Sequence, residues 1–280
     1  MRFTKMQGCG NDYVYVDCFT ETVTDPGPLA RAVADRHFGV GGDGLILICP
    51  SAVGDARMRM FNADGSEGNM CGNGLRCVAK YIYDHGIVAP ERRDAVIDTL
   101  DGPKAVVLHV EAGRCTAVTA DMGEPKLTGA LPEEIAVAGM ELRFIGVDTG
   151  SLHAVYFLED NPALRAADPS ELDLARYGRD FETHPRFPQR VNSEFIRVLS
   201  PRELQFRVWE RGSGETLACG TGATAAVFAG IRAGKLENEV LVHLRGGDLT
   251  IRYAPDTGHC FMTGPAAEVF SGDFCWNGES

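Results

Sequence analysis

Long apolar runs are missing from this 280-residue chain: none approaches the roughly 18 residues that cross a bilayer, which excludes a membrane-spanning helix. Cys-x-x-Cys pairs and His-x-x-x-His clusters are missing too, so a zinc site has no ligands at workable spacing, and no metal is expected. Positive charge is scarce, with 27 Lys and Arg against 39 Asp and Glu, a formal charge of −12. Nucleic acid and anionic membranes need clustered cations, so neither is expected, and the partner is expected to be a small molecule. The opening residues, Met1-Arg2-Phe3-Thr4-Lys5-Met6, lack a continuous apolar stretch and a small-residue cleavage site, which reads as cytoplasmic. Nine cysteines, an odd number without the dense spacing of a disulfide scaffold, read as reduced thiols.

A hydrophobic content of 44% is enough for a sizeable core, and the length suits two domains. The chain repeats one plan. Phe3 to Asp17 reads as strand, glycine-rich turn, strand, and Phe144 to Phe157 repeats it, setting Asn11 against Ser151. Met58 and Met60 alternate with arginines as a half-buried strand does, and Phe206 and Val208 repeat the alternation. Asn62 and Glu210 each stand nine residues before a cysteine, and Glu67 and Glu215 four before it, giving Glu-x-x-x-Cys-Gly-x-Gly at 67–74 and 215–222. A helix follows each motif: Leu75, Val78, Ala79 and Ile82 share one face and Gly86 stops it, while Ala223 to Ala233 is apolar nearly all round and Gly234 ends it. Three short strands follow each helix, turning at Asp101-Gly102 and Gly246-Gly247.

The expected architecture is α+β: two pseudo-symmetric domains, each a curved, mostly antiparallel, barrel-like sheet around a central helix, with the active site in the cleft between them. The boundaries fall at 1–120 plus about 265–280 for the first domain and 121–264 for the second. Gly39 to Gly44 fits the dinucleotide pattern G-x-G-x-x-G, but a helix-like run from Leu29 to His37 precedes it and a strand follows, the reverse of the required order. It reads as a turn, so no cofactor is expected.

Each Cys-Gly-x-Gly stands at a helix start, so the backbone N–H groups of Gly72, Asn73, Gly220 and Thr221 are donors for a carboxylate. The same helix field is expected to lower the pKa of Cys71 and Cys219. Two thiols around one carbon, with its carboxylate held by helix ends, are the machinery for inverting a stereocentre. The adjoining glycines let backbone approach a substrate closely. The other seven cysteines read as small buried hydrophobes.

Over nearly its whole length the sequence resembles the diaminopimelate epimerases, through Lys5 to Tyr13, Phe61 to Glu67, Met70-Cys71-Gly72-Asn73-Gly74, and Glu210 to Gly222. The resemblance implies a pyridoxal-free, metal-free enzyme that interconverts LL- and meso-diaminopimelate on the route to lysine and peptidoglycan. It further implies that Cys71 is the proton donor and Cys219 the acceptor in the LL to meso direction. By the same resemblance, Asn11, Asn62, Asn192, Glu210 and Arg211 grip the substrate's ammonium and carboxylate groups, and His153 is an auxiliary histidine. The chemistry suits a doubly zwitterionic ligand.

The chain departs from the family at Gly150-Ser151-Leu152-His153, where Gly-Asn-Pro-His is common, leaving Ser151 a shorter substrate contact. Gly44 stands where some members have glutamine, and Phe270 where a dimerisation tyrosine is found, so a homodimer is an expectation. The leading alternative is a related racemase or epimerase acting on another amino acid, such as histidine or a proline derivative. A silent binding protein or a phenazine-type isomerase would lack the cysteine pair, and a thiol protease would not need a second cysteine in a matching loop.

Overall fold

The computed structural model describes residues 1–276; the last four, 277–280, over which the expected first-domain segment extends, lie outside the described residues. Two compact units divide the chain, one formed by Met1–Ala120 with the chain from Gly264 onward, the other by Asp121–Thr263. In the first, β1 (Arg2–Gly8) and β2 (Asn11–Asp17) form a hairpin turned by Cys9 and Gly10, both at positive φ (53° and 81°), as a tight two-residue turn requires. After α1 (Pro26–Ala34), β3 (Gly44–Cys49) lies parallel to β2, and β4 (Ala56–Asn62) returns antiparallel to it. A two-residue β5 (Glu67–Gly68) folds back on β4 and delivers the chain to α2 (Gly72–Asp84). Then β6 (Asp94–Asp98), parallel to β4, leads into an antiparallel run with β7 (Lys104–Glu111) and β8 (Arg114–Asp121).

The second unit repeats this order behind a short preface of β9 (Lys126–Leu127) and β10 (Glu133–Val137). The hairpin is β11 (Met140–Asp148) with β12 (Leu152–Phe157), and after α3 (Leu174–Glu182) comes β13 (Asn192–Ser200), parallel to β12. β14 (Glu203–Glu210) and β15 (Gly214–Glu215) precede α4 (Gly220–Arg232), then come β16 (Glu239–Leu244), β17 (Gly247–Tyr253) and β18 (Cys260–Pro265), whose last two residues already belong to the first unit. Finally β19 (Ala267–Asp273) runs antiparallel to β1 in the first unit. The two-repeat, mainly antiparallel α+β plan read from the sequence is the plan of the fold.

Both central helices are enclosed by their own sheets. α2 packs on β1, β2, β4, β6, β7 and β19, and α4 on β11, β12, β13 and β17. That explains why Ala223 to Gly230 is apolar on every side, since no face of this segment meets water. The duplicated glutamates have a structural purpose: Glu67 takes Arg59 at 2.8 Å, and Glu215 takes Arg207 in the equivalent place, pinning the β4–β5 and β14–β15 returns that aim the cysteine loops.

Three details differ from the sequence reading. α1 stops at Ala34 rather than His37, because the Asp35 carboxylate accepts the N–H groups of His37 (2.7 Å) and Phe38 (2.8 Å) and competes with the helix. α3 and β13, the counterparts of α1 and β3, were not read from the sequence. Of the seven remaining cysteines, Cys9, Cys77, Cys115 and Cys260 are buried, but Cys18 and Cys49 are half-buried neighbours at the ends of β2 and β3, and Cys275 is exposed.

On the second unit's surface His243 bridges Glu203 (2.8 Å) and Asp248 (2.9 Å), whose carboxylates hold its pKa above the usual histidine range. A raised folded pKa stabilises the fold below the unfolded value of about 6.5 and loses that contribution as pH rises through the folded value. His243→Ala should therefore lower the urea midpoint clearly at pH 6 and much less at pH 9. A deficit that is equal at both pH values would show that the bridge is not charged.

Candidate active site

Cys71 is the N-cap of α2 and Cys219 the N-cap of α4, both in extended backbone (φ −135° and −131°). Each sulfur accepts the N–H of the glycine three residues on, Gly74 at 3.3 Å and Gly222 at 3.4 Å, as a serine oxygen does at an ordinary N-cap. Each cysteine carbonyl takes the next N–H, that of Leu75 or Ala223. The first two N–H groups of each helix, at Gly72 and Asn73 and at Gly220 and Thr221, have no intrahelical acceptor and lie beside the thiol.

The glycines are required by protein atoms. A Cβ on Gly74 would lie 2.6 Å from Ile46 Cδ1, and one on Gly222 would lie 2.8 Å from Glu194 Oε1 and 3.2 Å from its own capping sulfur. Any side chain there would lever the cap off the helix. At these two positions the close approach is to the sheet.

In the first unit the Cys71 thiol donates to Asn11 Oδ1 at 3.3 Å. Asn11 Nδ2 donates to Asp43 Oδ2 at 2.7 Å, which fixes the orientation of the amide, and Asp43 is anchored by Arg36 at 3.1 Å and by the Asp12 N–H. The loop read as a turn therefore supplies a positioning carboxylate. Asn62 bonds Ser66 Oγ at 3.0 Å within the β4–β5 turn. Asn73 turns its side chain inward to Arg76, at 2.8 Å, so its contribution to the helix end is its backbone N–H. Arg76 is fully buried; it bonds the Gly72 carbonyl in the first turn of α2 and ties the helix to the Pro265 carbonyl.

In the second unit Cys219 Sγ lies 3.4 Å from Thr221 Oγ1, and the Glu210 carboxylate, which Thr216 Oγ1 meets, is near enough to act on the thiol's ionisation. Burial pushes the Cys219 thiol well above the ordinary range, and the charges of Glu210 and Glu194 push it further. The bonds from Thr221 and Gly222 pull it down but do not prevail. The lowered pKa expected from the helix field is corrected here: desolvation outweighs it. Burial also raises Glu210.

His153 is buried between Glu194 Oε1 (2.6 Å) and Ser151 Oγ (2.9 Å). Beside it opens a cavity of about 300 Å³, bordered by Thr128, Leu152, Arg186, Phe187 and Gln189. Asn192 spends its amide on backbone, donating to Leu152 O at 3.0 Å and accepting the Arg211 N–H at 2.9 Å. The Arg211 side chain is exposed, with Nη1 3.4 Å from Gln189 O. The sequence reading missed Asp43, Arg76 and Glu194. The only signal for Glu194 was a carboxylate just before the apolar pair Phe195-Ile196, and for Arg76 a cation in an otherwise apolar helix. Among the described residues, no group of three or more His, Cys, Asp or Glu is placed to hold a metal ion, and no helix is long and apolar enough to cross a membrane.

Comparison with known proteins places this geometry in a family. The profile of the diaminopimelate epimerase family matches residues 3–128 and 145–269. A diaminopimelate epimerase of Agathobacter rectalis is 50% identical, covering 98% of this chain and 99% of its own length, and one of Desulfovibrio desulfuricans is 48% identical, covering 98% of each. Among solved structures, a hydroxyproline epimerase from Agrobacterium vitis superposes with a TM-score of 0.74 over 97% of this chain and 91% of its own, at 16% identity. That likeness is one of fold.

The thiols can be told apart by titration. Cys49 is held below the usual thiol range by its hydrogen bond from Cys18, with Arg59 and Arg57 adding to it, whereas Cys219 is held above that range. Site-resolved alkylation against pH should label Cys49 at lower pH than Cys219. Faster labelling of Cys219 at pH 7 would overturn the assignment.

Proposed function

The chain belongs to the diaminopimelate epimerase family and is an isomerase, and we propose that it interconverts LL- and meso-2,6-diaminopimelate with two cysteines and no cofactor. The observation that carries this reading is the pair of thiol-capped helices, each with a different partner at the sulfur. Cys71 donates its proton to Asn11 Oδ1, an arrangement that keeps it a neutral acid. Cys219 faces Glu210, a carboxylate that can take the thiol proton. The raised pKa of Cys219 makes its thiolate a strong base once formed, which matches the weak acidity of an α-carbon hydrogen.

On this reading Cys219 removes the α-hydrogen of the LL substrate and Cys71 delivers a proton to the opposite face; the reverse reaction exchanges the roles. The reading requires both thiols to reach one α-carbon. Backbone donors at Gly72, Asn73, Gly220 and Thr221 delocalise charge into the carboxylate as the hydrogen leaves. Asn11, Asn62, Ser151 and Arg211 supply the grip for the remaining charged groups, and Asn192 acts by holding the Arg211 backbone in place. The reaction belongs to lysine and peptidoglycan precursor supply in the cytoplasm. Phe270, half exposed and edge-on to Phe3, is the homodimer contact.

In heavy water, early meso product should carry deuterium at the inverted carbon while unreacted LL substrate carries almost none. A panel of other L-amino acids, including proline derivatives, should remain unlabelled; labelling of one of these alone would transfer the assignment to it. Cys71→Ala and Cys219→Ala should each abolish epimerisation, and near-normal turnover of either would sink the mechanism. Arg211→Lys should cost about 2 to 4 kcal/mol in kcat/KM, because an ammonium cannot reproduce a planar two-point grip. An unchanged kcat/KM would remove Arg211 from the substrate site.

A further inference from the structure

The two units differ at one buried position in a way that packing does not explain. In the first, β2 and β3 pair with Tyr15 opposite Ile46, and Ile46 is the side chain that meets Gly74 in the helix cap. In the second, β12 and β13 pair with Val155 opposite Glu194, and Glu194 meets Gly222. Isoleucine therefore suffices to support a cysteine cap, yet the second unit places a carboxylate there. Glu194 and His153 are both shut off from solvent, their contact is 2.6 Å, and Glu194 Oε2 has no hydrogen-bond partner. Burying such a pair costs more than packing an apolar residue of similar size. The position equivalent to His153 in the paired strands is Tyr13.

A chain of contacts leads outward from this pair. Glu194 Oε1 holds the ring at Nδ1, and that orientation turns Nε2 to Ser151 Oγ at 2.9 Å. Ser151 is half-buried, at the end of the chain of contacts that faces outward. We propose that Glu194 is a positioning residue for substrate binding: through His153 it fixes the Ser151 hydroxyl, so that Ser151 Oγ offers one defined hydrogen-bonding direction to a charged group of the amino-acid substrate. The contact with His153 Nε2 occupies one hydrogen-bonding direction at Ser151 Oγ and leaves the outward direction for a ligand. Other ionisable groups near the pair lie on the same unit: Glu210 senses both Glu194 and His153, and Cys219 senses Glu194. This inference rests on the epimerase reading for the identity of the substrate, but not for the existence of the relay.

Two measurements test it. On the protein without substrate, proton–nitrogen NMR of the His153 ring should show a strongly deshielded Nδ1 proton that moves upfield in Glu194→Gln. No such shift would mean that Glu194 does not hold the ring, whatever the enzyme's substrate. In turnover, Glu194→Gln should raise KM about tenfold with a smaller change in kcat, the loss of one charge-assisted hydrogen bond. In a Ser151→Ala background the same substitution should change KM little, because the group it directs is gone. Independent, multiplying effects of the two substitutions would overturn the relay, as would an unchanged KM. If Glu194→Gln does not fold, the double variant Glu194→Ile with His153→Tyr copies the first unit's packing at both positions. It should fold and show the KM of Ser151→Ala, and a wild-type KM would refute the proposal.

Discussion

The structure depends on a sulfur accepting the N–H of a glycine three residues further along. That one contact, made at Cys71–Gly74 and again at Cys219–Gly222, ends a loop, begins a buried helix and fixes the position of a thiol. It holds only because the glycine lets the helix lie against the sheet, where Ile46 or Glu194 leaves no room for a Cβ. The Arg59–Glu67 and Arg207–Glu215 pairs serve the same end from upstream by setting the return of the strand that enters the loop. Fold and candidate site are therefore one construction: the helix that forms each core is the helix whose N-cap is the thiol.

Duplication supplies the frame, and the differences between the copies supply the chemistry. Around Cys71 the partners are an amide and, behind it, Asp43; around Cys219 they are a carboxylate, a hydroxyl and the buried Glu194–His153 pair. The polar groups of the second unit are crowded into a place with little water, so burial governs their ionisation more than the helix field does. That crowding raises the thiol and Glu210 together.

Much of this was legible in the sequence. The repeat, the two central helices and their glycine stops, the hairpins and the return strands follow from hydrophobic period and turn chemistry, which are local properties. Cys71, Cys219 and the glycines beside them were legible because they recur at the same spacing in both copies. α3 was harder to read, because Leu174, Gly178 and Phe181 give it a sparse apolar face among charged residues, and β13 begins on the polar run Asn192-Ser193-Glu194.

By itself the sequence determined where chain segments turn, which faces are apolar and which residues sit at helix starts, since each of these is settled within about ten neighbouring residues. Only the tertiary structure decided what the reactive groups touch. Asp43 reaches Asn11 across 32 positions, Glu194 reaches His153 across 41, and Cys71 meets Asn11 across 60. The direction of the Cys219 shift was decided there as well. A helix N-terminus is visible in a sequence, but the removal of water around it is produced by the packing of the whole unit, and that removal is the larger effect.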